Sequence, residues 1–361
     1  MAQDATTEAL ELVDHDALAA FLKGKVPDFT DLSVKLLAGG ASNLTYLINL
    51  DDRQYVLRRR PLGPSAPRAH DMHREFRILD ALKGKDLPIP ETFAYYPDDD
   101  IVGAPFYVMD FKQGSVIHMP EDAEILGEKQ ANEASHSMIE TLAKLHEIGP
   151  DDIDLENFGK PEDFLKRRIN SWLRQWRSVE HRDFPQVEAL GEVLLRDLPP
   201  QLSTTLVHGD YRLGNVILDV ESPTSVKAIL DWEMSTIGDP LTDLAHLLVY
   251  WAPTVKHVTH RAQTISQKPG YLSSAELSDL YGSLTGRTME NLPFYLAFEN
   301  WRAAIIKDAI YLRGTHGRSE SEVTEEMQFL GSTVPLHLEE AAAILEDLGL
   351  ITSPVDASQT V

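Results

Sequence analysis

Between residues 34 and 111 apolar positions come in short runs that alternate with polar ones, whereas beyond Gly114 they recur every three or four positions. The first rhythm is that of half-buried strands, the second that of helices packed by one face. Residues 34–37, 44–50 and 54–58 read as strands, with Asp51-Asp52 as a tight reversal between the last two. Phe76, Leu79 and Leu82 fall at helical spacing in a predicted helix over 70–82, with Pro88 beyond its end. Two further strand candidates, 92–96 and 106–111, complete a five-stranded sheet with one inserted helix.

In the second region Ala134, Met138, Leu142 and Leu145 mark the buried face of a long helix that ends near Gly149-Pro150. Another helix is predicted over 162–177, and more start at Leu241, Ser274, Pro293 and Val334. Set among them are two strand-like segments, 215–220 and 226–230, joined by the turn-rich Glu221-Ser222-Pro223-Thr224-Ser225. The sequence thus predicts an α+β chain with an amino-terminal lobe over 1–111, an antiparallel sheet with one helix, and a mainly helical lobe with an inserted β-hairpin over 112–361.

Candidate chemistry flanks that hairpin. His208-Gly209-Asp210-Tyr211-Arg212-Leu213-Gly214-Asn215 is a polar loop between apolar strand-like segments, and Asp231 ends the next strand. If the two strands pair, Asp210, Asn215 and Asp231 converge, which is what phosphoryl transfer to a hydroxyl needs. Asp210 suits a carboxylate that orients the hydroxyl and accepts its proton, and Asn215 and Asp231 suit hard oxygen ligands for magnesium. Taken singly, each of these residue types also commonly satisfies backbone amides in turns.

Composition narrows the partners. A formal charge of -24, from 33 Lys plus Arg against 57 Asp plus Glu, argues against nucleic acid as a partner. A nucleotide then needs local basic clusters, and two stand out: Arg58, Arg59 and Arg60 with Arg68, Arg74 and Arg77, and Lys166, Arg167, Arg168, Arg174, Arg177 and Arg182. Both also read as ordinary solvated charges. The absence of cysteine excludes disulfides, thiolate zinc sites and thiol nucleophiles. The amino terminus, with Asp4, Glu8 and Glu11, lacks a signal-peptide pattern, and the apolar stretch 245–252 contains His246 and is too short to span a bilayer, so no membrane association is expected and the cytoplasm is the expected compartment.

His208-Gly209-Asp210 with Asn215, followed by Asp231-Trp232-Glu233 and by Gly238-Asp239-Pro240-Leu241-Thr242-Asp243-Leu244-Ala245, resembles the aminoglycoside phosphotransferase and choline kinase-like superfamily. The resemblance implies a bilobed, protein-kinase-like fold and ATP with Mg2+ as cofactors. It places a phosphate-covering loop at residues 38–43, including Gly39, Gly40, Ser42 and Asn43. It also puts Arg58 where protein kinases carry a lysine on a nucleotide phosphate, with Glu75 as its ion-pair partner, and Met109 at an adenine-binding hinge. Within it His146 and His208 are structural, and Asp243 is a buried brace for the catalytic loop or a simple helix residue.

Tyr211-Arg212 and the run Arg58-Arg59-Arg60-Pro61 are most similar to the kinase-like half of acyl-CoA dehydrogenase family members that carry an amino-terminal phosphotransferase domain. That likeness implies a 4-hydroxyacyl-CoA as the phosphate acceptor, with a separate acyl-CoA dehydrogenase as partner. The Lys166 to Arg182 cluster would then meet coenzyme A, and residues 294–298 with Trp301 an acyl chain. Two rivals stand beside it: an antibiotic kinase acting on an aminoglycoside or macrolide, and a nucleotide-binding pseudokinase.

Overall fold

The computed structural model describes residues 12–38, 43–61, 71–153, 158–221, 223–252, 258–318 and 322–352. The chain divides into two compact units, Met1–Ser115 with Ile153–Glu156 and Lys227–Met234, and Val116–Asp152 with Asn157–Val226 and Ser235–Val361.

The first unit contains α1 (His15–Leu22), β1 (Leu32–Ala38), β2 (Leu44–Leu50), β3 (Arg53–Arg59), α2 (Met72–Ala81), β4 (Thr92–Tyr96) and β5 (Phe106–Asp110). The five strands form one antiparallel sheet in the order β1-β2-β3-β5-β4, with Tyr46 opposite Leu57 and Arg58 opposite Tyr107. The period of two sends Leu44, Tyr46, Ile48 and Leu50 of β2 into a core cluster with Leu57, Phe106 and Val108. α1, which the sequence pattern did not predict, belongs to that cluster through Leu18 and Leu22, and Phe21 packs edge-on against Tyr96 and Phe106 at 5.0 and 5.4 Å. Asp14 caps α1 by accepting the Ala17 N–H at 2.9 Å. α2 packs against β4 and β5. It begins at Met72 because the Asp71 carboxylate accepts the Arg74 N–H at 3.0 Å and so caps the first turn.

The second unit carries α3 (Glu128–Leu145), α4 (Phe164–Ser178), α5 (Gln186–Arg196), β6 (Thr205–Val207), β7 (Val216–Asp219), β9 (Thr236–Gly238), α6 (Leu241–Trp251), α7 (Ser274–Thr285), α8 (Leu292–Thr315) and α9 (Glu325–Asp347). β8 (Ser225–Ile229) completes the predicted hairpin with β7, and β6 pairs antiparallel with β9. Among the described residues no helix is long and apolar enough to cross a membrane.

α8 is the spine of this unit: Phe298, Trp301 and Ala304 are fully buried, and the Trp301 indole donates to the Val187 carbonyl of α5 at 2.8 Å. The aromatic run 294–298 with Trp301, expected to meet an acyl chain, is therefore mostly committed to core packing. α9 starts at Glu325 rather than at Val334. Thr324 caps it and Glu325 and Glu326 fill its first turn, so its beginning carries no apolar periodicity.

Lys307 of α8 is 3% exposed and donates to the Thr259 carbonyl and, at 3.3 Å, to the Thr333 hydroxyl of α9. Burial pulls its amine down to about 7, against the weaker opposing pull of Glu340. The unfolded chain therefore binds the proton more readily between pH 7 and the ordinary lysine value of 10.5, and stability should rise with pH across that window. Urea unfolding of the wild type and of Lys307→Met at several pH values should show the wild type gaining on the variant by up to about 1.4 kcal/mol per pH unit. A stability difference that stays flat with pH would show that the amine is not depressed.

Candidate active site

β6 delivers the chain into the polar loop at His208, and one buried carboxylate shapes the turn that follows. Asp243, in the first turn of α6 and fully buried, accepts the His208 N–H on Oδ2 at 2.6 Å and the Gly209 N–H on Oδ1 at 2.7 Å. Gly209 has φ 84, the left-handed conformation that favours glycine. His146, capping the end of α3, places Nε2 3.3 Å from Asp243 Oδ2 and Nδ1 2.7 Å from the Tyr281 hydroxyl. A carboxylate only accepts, so Nε2 carries the proton and Nδ1 accepts from Tyr281. Burial holds His146 below its ordinary pKa. Burial pushes Asp243 up, but His146, His208 and the loop amide prevail and hold it below the usual carboxylate range.

Asp210 follows, its side chain 29% exposed. Asn215 Nδ2 donates to the Asp210 carbonyl at 2.8 Å and to Oδ2 at 2.6 Å, and the Asp210 N–H donates to His208 Nδ1 at 3.3 Å. Tyr211, fully buried, donates its hydroxyl to the Met138 carbonyl of α3 at 2.8 Å, so the loop is anchored just past the acid. His246 Nε2 lies 2.7 Å from Asp210 Oδ1, and Arg212 Nε lies 3.5 Å from the same oxygen. Burial pushes the Asp210 carboxyl up, but the hydrogen bond and charge of His246, with Arg212 and His208, outweigh it and hold it well below the usual range. A carboxylate kept ionised and oriented in this way can align a hydroxyl and take its proton.

His246 is a residue the sequence pattern did not single out as functional. It sits three residues after Asp243 in α6, on the same helical face, and a histidine on an otherwise apolar stretch beside the loop-bracing acid was the available signal.

In the first unit Arg58 stands at the centre of an acidic group. It pairs with Glu75 of α2, Nε to Oε2 at 3.2 Å, and contacts Asp231 Oδ1. Glu75 Oε1 accepts the Trp232 N–H at 3.2 Å, and Tyr107 lies opposite Arg58 in the β3–β5 register. Burial, with the neighbouring Asp231 and Glu233 charges, pushes Glu75 up to about 7 against the pull of Arg58. Asp231 has φ 67, unusual for a residue with a side chain. Asn43 Nδ2 donates to Glu233 Oε2 at 3.2 Å. Met109 lies in β5 opposite Val56 of β3 and Thr92 of β4. Gly39, Gly40 and Ser42 of the expected phosphate loop, and Arg68 of the basic cluster, lie outside the described residues.

The basic clusters break up on inspection of their partners. Arg59 points to the face opposite Arg58, is fully buried and donates to the carbonyls of Val102 and Arg60. Arg167 donates to the carbonyls of Lys160 and Glu162, Arg177 pairs with Glu188, and Arg182 Nε pairs with the buried Asp308 at 2.6 Å. The Lys166 to Arg182 segment is thus largely a set of internal ties. Nearer Asp210, a cleft is lined by Arg212, Leu247, Tyr250, Trp251, Ile265 and Ser266 with Leu213, Gly214 and Ala262, and the Arg212 guanidinium lies 5.6 Å from the Tyr250 ring centre. No carboxylate is among these lining residues.

Comparison with known proteins places this arrangement. The family model described as "Phosphotransferase enzyme family" matches residues 33–277. The mouse protein acyl-CoA dehydrogenase family member 10 is 36% identical over 321 residues, which is 87% of this chain and 30% of that protein, so the chain spans under a third of that relative's length. A crystal structure from Ralstonia eutropha JMP134, provisionally assigned as an aminoglycoside phosphotransferase, superposes with a TM-score of 0.78 at 28% identity and covers 92% of this chain and 98% of its own. A thermostable mutant of the aminoglycoside phosphotransferase APH(4)-Ia, in ternary complex with ADP and hygromycin B, shares the fold at a TM-score of 0.58 and 16% identity, with 90% of this chain and 99% of that one covered. The chain, with its kinase-like fold and Asp210 loop, belongs to the phosphotransferase enzyme family and is a small-molecule kinase.

Proposed function

We propose that this kinase uses ATP and magnesium to phosphorylate the hydroxyl of a 4-hydroxyacyl-CoA. The observation that carries the phosphotransfer reading is the Asp210 carboxylate, held by Asn215 at 2.6 Å and His246 at 2.7 Å on a loop whose backbone is bound by Asp243. Asp210 orients the acceptor hydroxyl and receives its proton as the new oxygen–phosphorus bond forms and the bond from the γ-phosphorus to the bridging oxygen breaks, releasing ADP. Its depressed proton affinity suits a loose transition state, in which the proton moves late and positioning does most of the work.

Asn215 and Asp231 are the residues that would hold magnesium. Asn215 spends its amide nitrogen on Asp210 and so offers its oxygen to a cation, and Asp231 offers a carboxylate that is 32% exposed. Magnesium, when bound, neutralises charge on the phosphate oxygens. Arg58 supplies a guanidinium fork for a phosphate, with Glu75 fixing its direction. Asn43, with Gly39, Gly40 and Ser42, is assigned to the phosphate-covering loop and Met109 to the adenine side. His208 supports the loop, its Nδ1 accepting the Asp210 N–H. ADP in the APH(4)-Ia complex supports the choice of nucleotide.

Two observations support the acceptor. The similar mouse protein is an acyl-CoA dehydrogenase family member by name. The small cleft beside Asp210, about 10 Å³, presents the Arg212 cation among apolar and aromatic residues with no carboxylate among its described lining, surroundings that suit an anionic group better than a polycationic aminoglycoside. An acyl-CoA dehydrogenase would then take up the phosphorylated product.

Asp210→Asn should lower kcat by about 10²- to 10⁴-fold while leaving MgATP affinity nearly unchanged, as read from ADP release and from nucleotide titration. A collapse of ATP affinity instead would mean that Asp210 serves the nucleotide and not the acceptor. In the same assay a panel of 4-hydroxyacyl-CoAs, aminoglycosides, macrolides and choline should show stimulation by the hydroxyacyl-CoAs. Stimulation by an antibiotic or choline alone would replace the acceptor, and ATP binding without turnover on any of them would favour a pseudokinase.

A further inference from the structure

Asp210 has a buried neighbour that the phosphotransfer reaction does not by itself require. His246 is 4% exposed and is held from both sides: Nε2 lies 2.7 Å from Asp210 Oδ1, and Nδ1 lies 3.1 Å from Glu299 Oε2 of α8. Glu299 is itself buried and bound by Arg302 at 2.6 Å, one turn along the same helix. Arg302 also comes within 2.6 Å of His246 Nδ1.

The proton on one ring nitrogen follows from these partners. An ionised carboxylate only accepts, so the Nε2 that faces Asp210 must carry hydrogen. Whether Nδ1 donates to Glu299 or accepts from Arg302, Nε2–H donates to Asp210 in both cases. Burial works against a charge on His246, but Asp210 and Glu299 outweigh it and raise its pKa, with Arg302 opposing them. The other titratable groups around the ring are Tyr250 of α6, His260, and Arg212 and His208 of the loop, with Arg168 of α4 close to Arg302 and Glu299.

The two oxygens of Asp210 are thereby made unequal. Oδ1 takes His246 and faces Arg212, whereas Oδ2, among the described residues, takes only Asn215. Each carboxylate oxygen can accept two hydrogen bonds, so Oδ2 keeps room for the acceptor hydroxyl. We propose that His246, held by Glu299 and Arg302, is a positioning residue that locks the Asp210 carboxylate in the orientation presenting Oδ2 to the acceptor. The inference rests on the reading of Asp210 as the acceptor-orienting carboxylate. It resembles in logic the third group that orients the base in hydrolase triads, built here from a helix-to-helix chain of buried ionisable groups.

The test compares His246→Leu, His246→Gln and Glu299→Gln by ADP release from MgATP, with a 4-hydroxyacyl-CoA as acceptor and with water alone, alongside Asp210→Ala. A glutamine Nε2 can reproduce the donor to Asp210 and a leucine cannot. His246→Leu should lose about 10- to 100-fold in kcat with KM for MgATP within about threefold of wild type, and His246→Gln should recover most of the loss. Glu299→Gln should fall between them. In the wild-type protein, a proton–nitrogen NMR spectrum of the histidine rings should show an exchange-protected proton on His246 Nε2 that loses its protection in Asp210→Ala, a readout independent of how the leucine variant folds. Equal losses in the leucine and glutamine variants, or an unprotonated Nε2, would overturn the positioning role. Turnover surviving in Asp210→Ala would remove the catalytic reading of Asp210 and this inference together. Asp210→Ala inactive with His246→Leu fully active would remove the inference alone.

Discussion

Everything placed near Asp210 depends on one buried carboxylate, that of Asp243. Two consecutive backbone N–H groups, those of His208 and Gly209, converge on its two oxygens, and His146 closes the arrangement from α3. An isolated charge in such a place is costly, and it persists because each oxygen meets a donor. The same contacts fix the backbone in the turn that Gly209 permits, and Tyr211 then pins the chain to α3 on the far side of Asp210. Removing one partner of a buried charged set typically costs about 3–5 kcal/mol. The loop therefore has its shape before any substrate arrives, and preorganisation of this kind is how a site does chemistry that is mostly positioning.

The sheet, its strand pairing through β2 and β3, and the helical character of the second unit were readable in the sequence because hydrophobic period carries that information directly. Where the structure adds elements, the local signal was thin. α1 buries Leu18 and Leu22 but is only eight residues long, β6 and β9 have three residues each, and the polar first turns of α9 show no stripe. The loop acids stood out because Asp, Asn and Gly at that spacing are uncommon between apolar strands. Their supports did not, since His246 reaches Asp210 from 36 residues away and Glu299 reaches His246 from 53, contacts that no local pattern encodes.

Charge clusters were the least reliable guide, for a physical reason. A run of arginines along a helix looks like a surface patch when only composition is seen, yet Arg167, Arg177 and Arg182 each find carbonyls or carboxylates within their own unit. Strand alternation likewise separates Arg58 from Arg59, so neighbours in sequence do unlike work: one faces carboxylates, and the other closes a structural contact with Val102. The net charge of -24 says equally little about any one surface. Single residues such as Arg212 above Tyr250 set the local character of the cleft beside Asp210.

The ion pair of Arg58 with Asp231 has a consequence for how ligands would enter, on the assignment of these residues to phosphate and metal. Each group neutralises the other, so a phosphate arriving alone would strip Asp231 of its counter-charge, and a cation arriving alone would strand Arg58 against Glu75 only. A nucleotide that brings its own cation replaces both partners in one event and leaves neither charge exposed. On that assignment the pair would act as a thermodynamic filter, coupling the two binding equilibria and favouring the assembled metal–nucleotide complex over its separate components.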